Sequence, residues 1–346
     1  MNRMTLLVLS LLMVTALWAD DPFRVGIIGM DSSHCVAFTR IIHHADASDT
    51  LKQLRVTTAF PGGSPDIEGN TEKIAKYTTE LKKMGITLVD SIPALLEKVD
   101  GVMIESVDGR PHLEQVIPVF QAGKRVFIDK PLAGTLADAI VIERLGRHYR
   151  TPWFSSSSLR FSPDTLALRI ESKKAGKLYA AEAWSPSPTE AHHPDLFWYG
   201  IHGVEALFTM MGPGISHLVR TSSEHTDLVT GTWNDGRIGT FRGLKPPAKR
   251  GYGGTAYGSK GIVPAGGFAG YEPLIEEIAA FFLGGDIPVD HAETIEIMAF
   301  MEAADESKRR GGAIVQIRDV MQKAERAAQK YLDKFQSPKK NAGASP

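Results

Sequence analysis

Lys130 stands in the stretch Val99–Ala133, VDGVMIESVDGRPHLEQVIPVFQAGKRVFIDKPLA, within the triplet Asp129-Lys130-Pro131. The stretch reads as an apolar run, a turn, an amphipathic helix ending at Gly123 and a second apolar run, which is a βαβ unit. Parallel sheets present ligands at the carboxyl ends of their strands, so the ammonium of Lys130 is expected on the rim where chemistry takes place. The other titratable concentration is His192, His193, Asp195 and His202. Imidazoles and a carboxylate suit a metal, but two adjacent histidines in a Pro-rich loop point different ways. A site for a polyol, with Trp184, Trp198 and Tyr199 offering faces to a sugar ring, fits the composition better, and no metal is expected there.

Several elements must position these groups. Phe23–Gly29, FRVGIIG, is a β-branched run suited to a strand buried on both faces. It leads into Met30-Asp31-Ser32-Ser33-His34 and a helical pattern from Val36 to His43. Strand, glycine turn and helix N-terminus form the phosphate cradle of a dinucleotide-binding unit. Gly26, Gly29, Met30, Asp31, Ser32 and His34 are therefore candidate cofactor contacts, with Lys130 at the far end of the site. The glycine pattern is altered: counting from Gly29, its second and third positions fall on Asp31 and His34. A carboxylate at position 31 opposes a pyrophosphate unless it points away or is neutralised, and Asp31 or Ser32 suits a helix cap. Strands are also expected over Leu54–Phe60, Thr87–Val89, Val102–Glu105, Arg125–Ile128 and Trp153–Ser156, and Leu54–Phe60 has no acidic residue at its end for a ribose hydroxyl. Asn70 and Ser91 read as helix caps.

Regular βα alternation ends near Ser156. Beyond it the sequence predicts a helix from Ser162-Pro163 to Gly176, a strand over Leu178–Trp184, a helix from about Tyr199 to Met211, and strands over Ile215–Thr221, Leu228–Trp233 and Arg237–Phe241. The last two are joined through Asn234-Asp235-Gly236, a hairpin signal. Helices over Glu272–Phe282, Ala292–Arg310 and Arg318–Phe335 follow. The fold class is α/β: a Rossmann-type doubly wound parallel sheet over residues 20–156, then an α+β domain with a mostly antiparallel sheet over 157–335, and a disordered tail over 336–346.

The chain has 346 residues, a formal net charge of −1 and a single cysteine, Cys35. A near-neutral balance without a basic stripe excludes a nucleic-acid partner, and one cysteine excludes an internal disulfide. Arg3, the apolar run Thr5–Trp18 and Ala19 before Asp20-Asp21-Pro22 read as a signal peptide over residues 1–19. Export to the periplasm or medium follows, without stable membrane insertion after cleavage.

VGIIG, the stretch ending in Asp-Lys-Pro, then SSLRFSP and GIHGVEALFTMMG together resemble the glucose-fructose oxidoreductase, inositol dehydrogenase and rhizopine-catabolism (Gfo/Idh/MocA) family over nearly the whole mature chain. The family's Glu-Lys-Pro motif appears as Asp129-Lys130-Pro131. Its Asp-x-Gly-x-His motif matches Trp198-Tyr199-Gly200-Ile201-His202, keeping the histidine and losing the aspartate. The resemblance implies NAD or NADP as cofactor and a sugar or cyclitol as the small-molecule substrate. It implies Lys130 and His202 as catalytic residues, and His112 and Arg160 match family positions; with Asp195, Trp198 and Tyr199 from the polyol reading, these are the expected substrate contacts. It also implies a homo-oligomer paired through the C-terminal sheets. Two other functions stay open: a glycosidase-like enzyme that recycles a bound nicotinamide, which suits an exported protein, and a non-catalytic carbohydrate-binding protein on an altered scaffold.

Overall fold

A computed structural model describes residues 21–169, 171–249 and 251–336; the expected signal peptide and the tail beyond 336 lie outside the described residues. The first part alternates strictly: β1 Phe23–Ile28, α1 His34–Ile42, β2 Leu54–Phe60, α2 Asn70–Lys83, β3 Thr87–Leu88, α3 Ile92–Leu96, β4 Gly101–Ile104, α4 His112–Gln121, β5 Arg125–Asp129, α5 Leu136–Tyr149 and β6 Trp153–Ser156. The six strands form one parallel sheet in the order β3-β2-β1-β4-β5-β6. Strands β4 and β6 are buried at every residue, as a sheet with both faces covered by crossover helices requires. The sheet reverses direction of growth between β1 and β4, so a crevice opens above the carboxyl ends of those two strands.

The second part runs α6 Pro163–Leu166, β7 Glu171–Ser172, β8 Gly176–Pro186, α7 Asp195–Trp198, α8 Ile201–Met211, β9 Ile215–Ser222, β10 Thr226–Trp233, β11 Ile238–Leu244, β12 Gly253–Gly258, β13 Gly261–Ala265, α9 Glu272–Phe282, α10 His291–Arg309, β14 Val315–Gln316 and α11 Ile317–Gln336. Its eight strands form one sheet, antiparallel throughout except where β11 pairs with β8. Helix α8 packs on β8 and β11 and is buried at every residue.

Two expectations are corrected and one element is added. The helix expected from 163 to 176 is one turn, α6, because Gly176, at φ +73°, makes the tight turn into β8 and the chain before it pairs back as β7. The hairpin β12–β13 gave no period-2 signal, since Gly253, Gly254, Gly258 and Gly261 interrupt it. Asn70 does not cap α2: Gly69 stands at that position, and the Asn70 amide is turned inward. The division at 156/157 also blurs in packing. Helix α9 returns to the first sheet, where Leu274, Ile275, Ile278 and Phe281 share a core with Val25, Phe38, Phe127 and Phe154, and α11 lies along α5.

Candidate active site

Lys130 directly follows β5 and is joined to Pro131 by a cis peptide bond, and its ammonium lies over Tyr199 of the second domain. His202 lies in the first turn of α8. The two residues line one cleft of about 280 Å³ together with Ser32, His34, Tyr199, Tyr252 and Tyr271. Lys130 Nζ stands 5.7 Å from the centroid of the Tyr199 ring, and the Tyr199 and Tyr252 hydroxyls lie 3.0 Å apart. A groove of about 1180 Å³ between α5, α10 and α11 is larger, yet it contains neither Lys130 nor His202.

The loop after β6 fixes helix α8 against the first domain. Ser157 Oγ and His202 Nδ1 are 2.8 Å apart, and Glu205, three residues further along α8, accepts from Ser156 Oγ at 2.7 Å and Ser157 N at 2.7 Å. Burial and the neighbouring Lys130 ammonium push the His202 imidazole well below its ordinary range, so the ring is neutral at neutral pH. With Nδ1 engaged by Ser157, Nε2 is the nitrogen left for the cleft.

Around the glycine turn, Gly29 has φ +94°, and a Cβ there would lie 2.3 Å from Ser106 N; glycine is required at this position. Asp31 lines the cleft but is buried, and its carboxylate is taken up by donors of the protein. It accepts from Val107 N at 2.9 Å, Asn70 Nδ2 at 2.9 Å and Ser64 N at 3.4 Å. Burial raises its pKa while these donors oppose the shift. Asp31 therefore does not cap α1; Ser32 Oγ accepts from His34 N at 3.1 Å, and Ser33 holds the N-cap position without a side-chain bond. The turn after β2 folds over the same place, with Met30 N donating to Gly62 O at 3.1 Å and Ser64 Oγ to Asp108 at 2.5 Å.

Beside the Gly29–His34 turn, Asp31, Ser64, Asn70 and Asp108 form a buried hydrogen-bonded group, and β2 ends in Phe60 with no carboxylate at its end.

His34, placed where a third glycine would let helix and strand approach, instead sends Nδ1 to within 2.6 Å of Asp129 Oδ2, and its ring stacks on Phe38. Asp129 also accepts from Lys130 N at 2.8 Å. His34 and the neighbouring Lys130 help hold the Asp129 carboxyl below its ordinary range against the penalty of burial.

Other expected contacts lie away from the cleft. Arg160 is buried between Glu205, at 2.8 Å, and Glu293, at 2.9 Å, and ties α8 to α10. His112 is buried, its ring nitrogens 3.0 Å from Pro131 O and 3.0 Å from Ser106 O, so it braces the turn after Lys130. Asp195 pairs with Arg220 at 3.1 Å and with Lys308 at 2.5 Å, and Trp198 packs against His193. Gly26 packs against Leu95 inside β1, and Met30 is fully buried. The histidine cluster does not converge, since His192 pairs with Glu190 and His193 with Asp108. The sequence reading missed Ser157, Glu205, Tyr252 and Tyr271. SSSS before Leu159 and a glutamate at the third position after His202 were the available signals for the first two.

Residues 23–148 match an oxidoreductase family with an NAD-binding Rossmann fold. No curated protein sequence matches the chain. Among solved structures, scyllo-inositol dehydrogenase from Lactobacillus casei, with bound NAD(H) and scyllo-inositol, is 13% identical, covers 86% of this chain and 99% of its own, and superposes with a TM-score of 0.69. An oxidoreductase from Desulfitobacterium hafniense described as NADPH-dependent is 16% identical, with 87% and 99% covered and a TM-score of 0.69. An NAD-binding protein from Listeria innocua is 17% identical, with 85% and 96% covered and a TM-score of 0.61. At these identities the likeness is one of fold.

Proposed function

Starting from a first domain, residues 23–148, that belongs to the Gfo/Idh/MocA oxidoreductase family, we propose that this protein is an exported nicotinamide-dependent oxidoreductase acting on a hydroxyl of a sugar or cyclitol. The observation that carries the reading is the meeting of Lys130, from the first sheet, and His202, from the second domain, on one cleft walled by Tyr199, Tyr252 and Tyr271. Oxidising a hydroxyl to a carbonyl releases a proton, and His202 Nε2 takes it; a neutral imidazole is the form able to do so. Ser157 holds the ring in place, and Glu205 holds Ser157. The Lys130 ammonium polarises the same oxygen and favours its developing negative charge. The tyrosine rings offer flat faces to the C–H side of a polyol ring. The Gly29–His34 turn and Lys130 would hold the cofactor, which supplies the hydride acceptor.

Purified mature protein is mixed with NAD or NADP and a panel of sugars and inositols, and reduced nicotinamide is followed by absorbance. Turnover is expected for at least one polyol, with Lys130→Ala and His202→Ala each lowering kcat by about 10²-fold or more. Unchanged kcat in both variants would sink the assignment. A second reading, a carbohydrate-binding protein without turnover, is favoured by Asp31 and His34 standing where the phosphate turn carries glycines, with Asp31 held by Asn70 and Val107. Absence of any dinucleotide binding at millimolar concentration, with retained sugar binding, selects it.

Export through the leader over residues 1–19 and pairing through the second sheet belong to the same proposal. The outward face of that sheet carries Tyr179, Ile238 and Ile262, which are 56%, 48% and 71% exposed, and supports the pairing.

A further inference from the structure

Beneath the cleft floor, at the carboxyl ends of β4 and β5, three potential ligands converge: His34, Glu105 and Asp129. Their ligand atoms all lie within 4.8 Å of one another. None of the chemistry assigned above uses Glu105. Its side chain is fully buried, and among the described residues neither carboxylate oxygen has a hydrogen-bond partner.

A buried carboxyl in that state is incomplete in either protonation form. Ionised, it lacks donors; protonated, its O–H lacks an acceptor. Lys130 does not complete it. Among the described residues the ammonium is placed over the Tyr199 ring and forms no ion pair with Glu105 or Asp129. Around Glu105 stand the Asp129 carboxylate and the His34 ring, whose Nδ1 donates to Asp129 at 2.6 Å, with the Lys130 ammonium acting on Glu105 only through space. Two buried carboxylates answered by a single imidazole proton leave Glu105 without a donor, and a cation in place of that proton would serve all three groups at once.

We propose that His34, Glu105 and Asp129 bind one divalent cation of the zinc or manganese class. One imidazole nitrogen and two carboxylate oxygens are the donor set these ions accept. Bond lengths of about 2.0–2.2 Å place such donors about 3–4 Å apart, so the site closes on the ion when His34 releases its 2.6 Å contact with Asp129. His34, which lines the cleft, provides the path of entry and leaves a coordination position on that side. The two departures from the Gfo/Idh/MocA pattern that lie nearest Lys130, histidine for glycine at 34 and aspartate for glutamate at 129, are both ligands of this site. The inference does not depend on the proposed oxidoreductase activity, because metal binding is measured without cofactor or substrate.

The test uses the full mature chain stripped with EDTA and dialysed against ZnCl2 or MnCl2, with metal counted by elemental mass spectrometry and the thermal midpoint recorded in parallel. One equivalent is expected, together with a midpoint that rises with metal concentration. Glu105→Gln keeps the side-chain volume, and it should weaken binding by about tenfold or more and remove the metal-dependent rise. His34→Gln, at a partly exposed position, is expected to do the same and guards against a folding defect in the first variant. Binding that neither variant weakens, or that His192→Ala abolishes, overturns the proposal in favour of a surface site. A Glu105→Gln protein with a higher midpoint and no response to metal in either form overturns it in favour of a buried proton or water.

Discussion

At the scale of single residues, the arrangement separates groups that face the cleft from groups that hold it open. His202 faces it, and its imidazole is held well below the usual 6.5 by burial and Lys130. The acid limb of the pH–rate profile reports protonation of this base, so it should fall below pH 6.5 and activity should persist into mildly acidic buffer; a limb at or above 6.5 would contradict the assignment. Replacing Lys130 by Met removes one of the charges that depress the imidazole and should move that limb upward. Arg160 belongs to the second group. Buried between Glu205 and Glu293, it leaves two uncompensated carboxylates when removed, and Arg160→Ala should cost about 3–5 kcal/mol in urea unfolding. Asp31→Ala strands Val107 N and the Asn70 amide, for about 1–3 kcal/mol by the same measurement.

At the scale of elements, the turn between β1 and α1 is the most constrained. Gly29→Ala forces a Cβ into Ser106 N at φ +94°, so the variant should lose more than the roughly 1–3 kcal/mol of backbone strain alone. Gly123, also at positive φ, has open space around its Cβ position and should tolerate alanine with strain as the main cost. The connection from α1 to β2 carries a pH-dependent contact, since His43 Nε2 accepts from Val56 N at 3.1 Å and its pKa is lowered to about 4 by burial and by Arg55. A histidine whose folded pKa is depressed contributes stability that is complete above its unfolded value near 6.5 and is lost as pH falls toward 4. Thermal midpoints recorded from pH 8 to pH 4 should therefore decline less steeply in His43→Gln than in the unaltered protein.

At the scale of the whole molecule, the site exists because two domains with separate sheets are clamped together. The loop after β6 bonds to α8, α9 returns to the first sheet, and α11 lies along α5. Among the described residues, the outward face of the second sheet leaves Tyr179, Ile238 and Ile262 exposed. If it pairs copies of the chain as proposed, Ile238→Asp should convert the assembly to monomers in analytical ultracentrifugation while leaving the fold, measured by circular dichroism, unchanged. A wild-type protein that sediments as a monomer would remove the pairing from the proposal.

The sequence by itself determined the first domain nearly strand for strand, because a parallel sheet buried on both faces writes itself as short β-branched runs separated by amphipathic helices. It also determined that Lys130 ends a strand at the ligand-bearing edge. The second domain was less legible where glycine replaced alternation, as in β12–β13, and where a helical pattern was overruled by the Gly176 turn. Only the tertiary structure decided which polar residues meet. Arg160, His112 and Asp195 have the composition of substrate contacts, yet each is consumed by partners that the fold brings to it: Glu205 and Glu293, Pro131 and Ser106, Arg220 and Lys308. Asp31 reads as an obstacle to phosphate and is instead a buried brace, and His34 and Asp129, 95 positions apart, share one hydrogen bond. Local pattern fixes which face of an element a side chain occupies, whereas its charge is answered by whatever the folded chain brings within about 3 Å, and that depends on every other element at once.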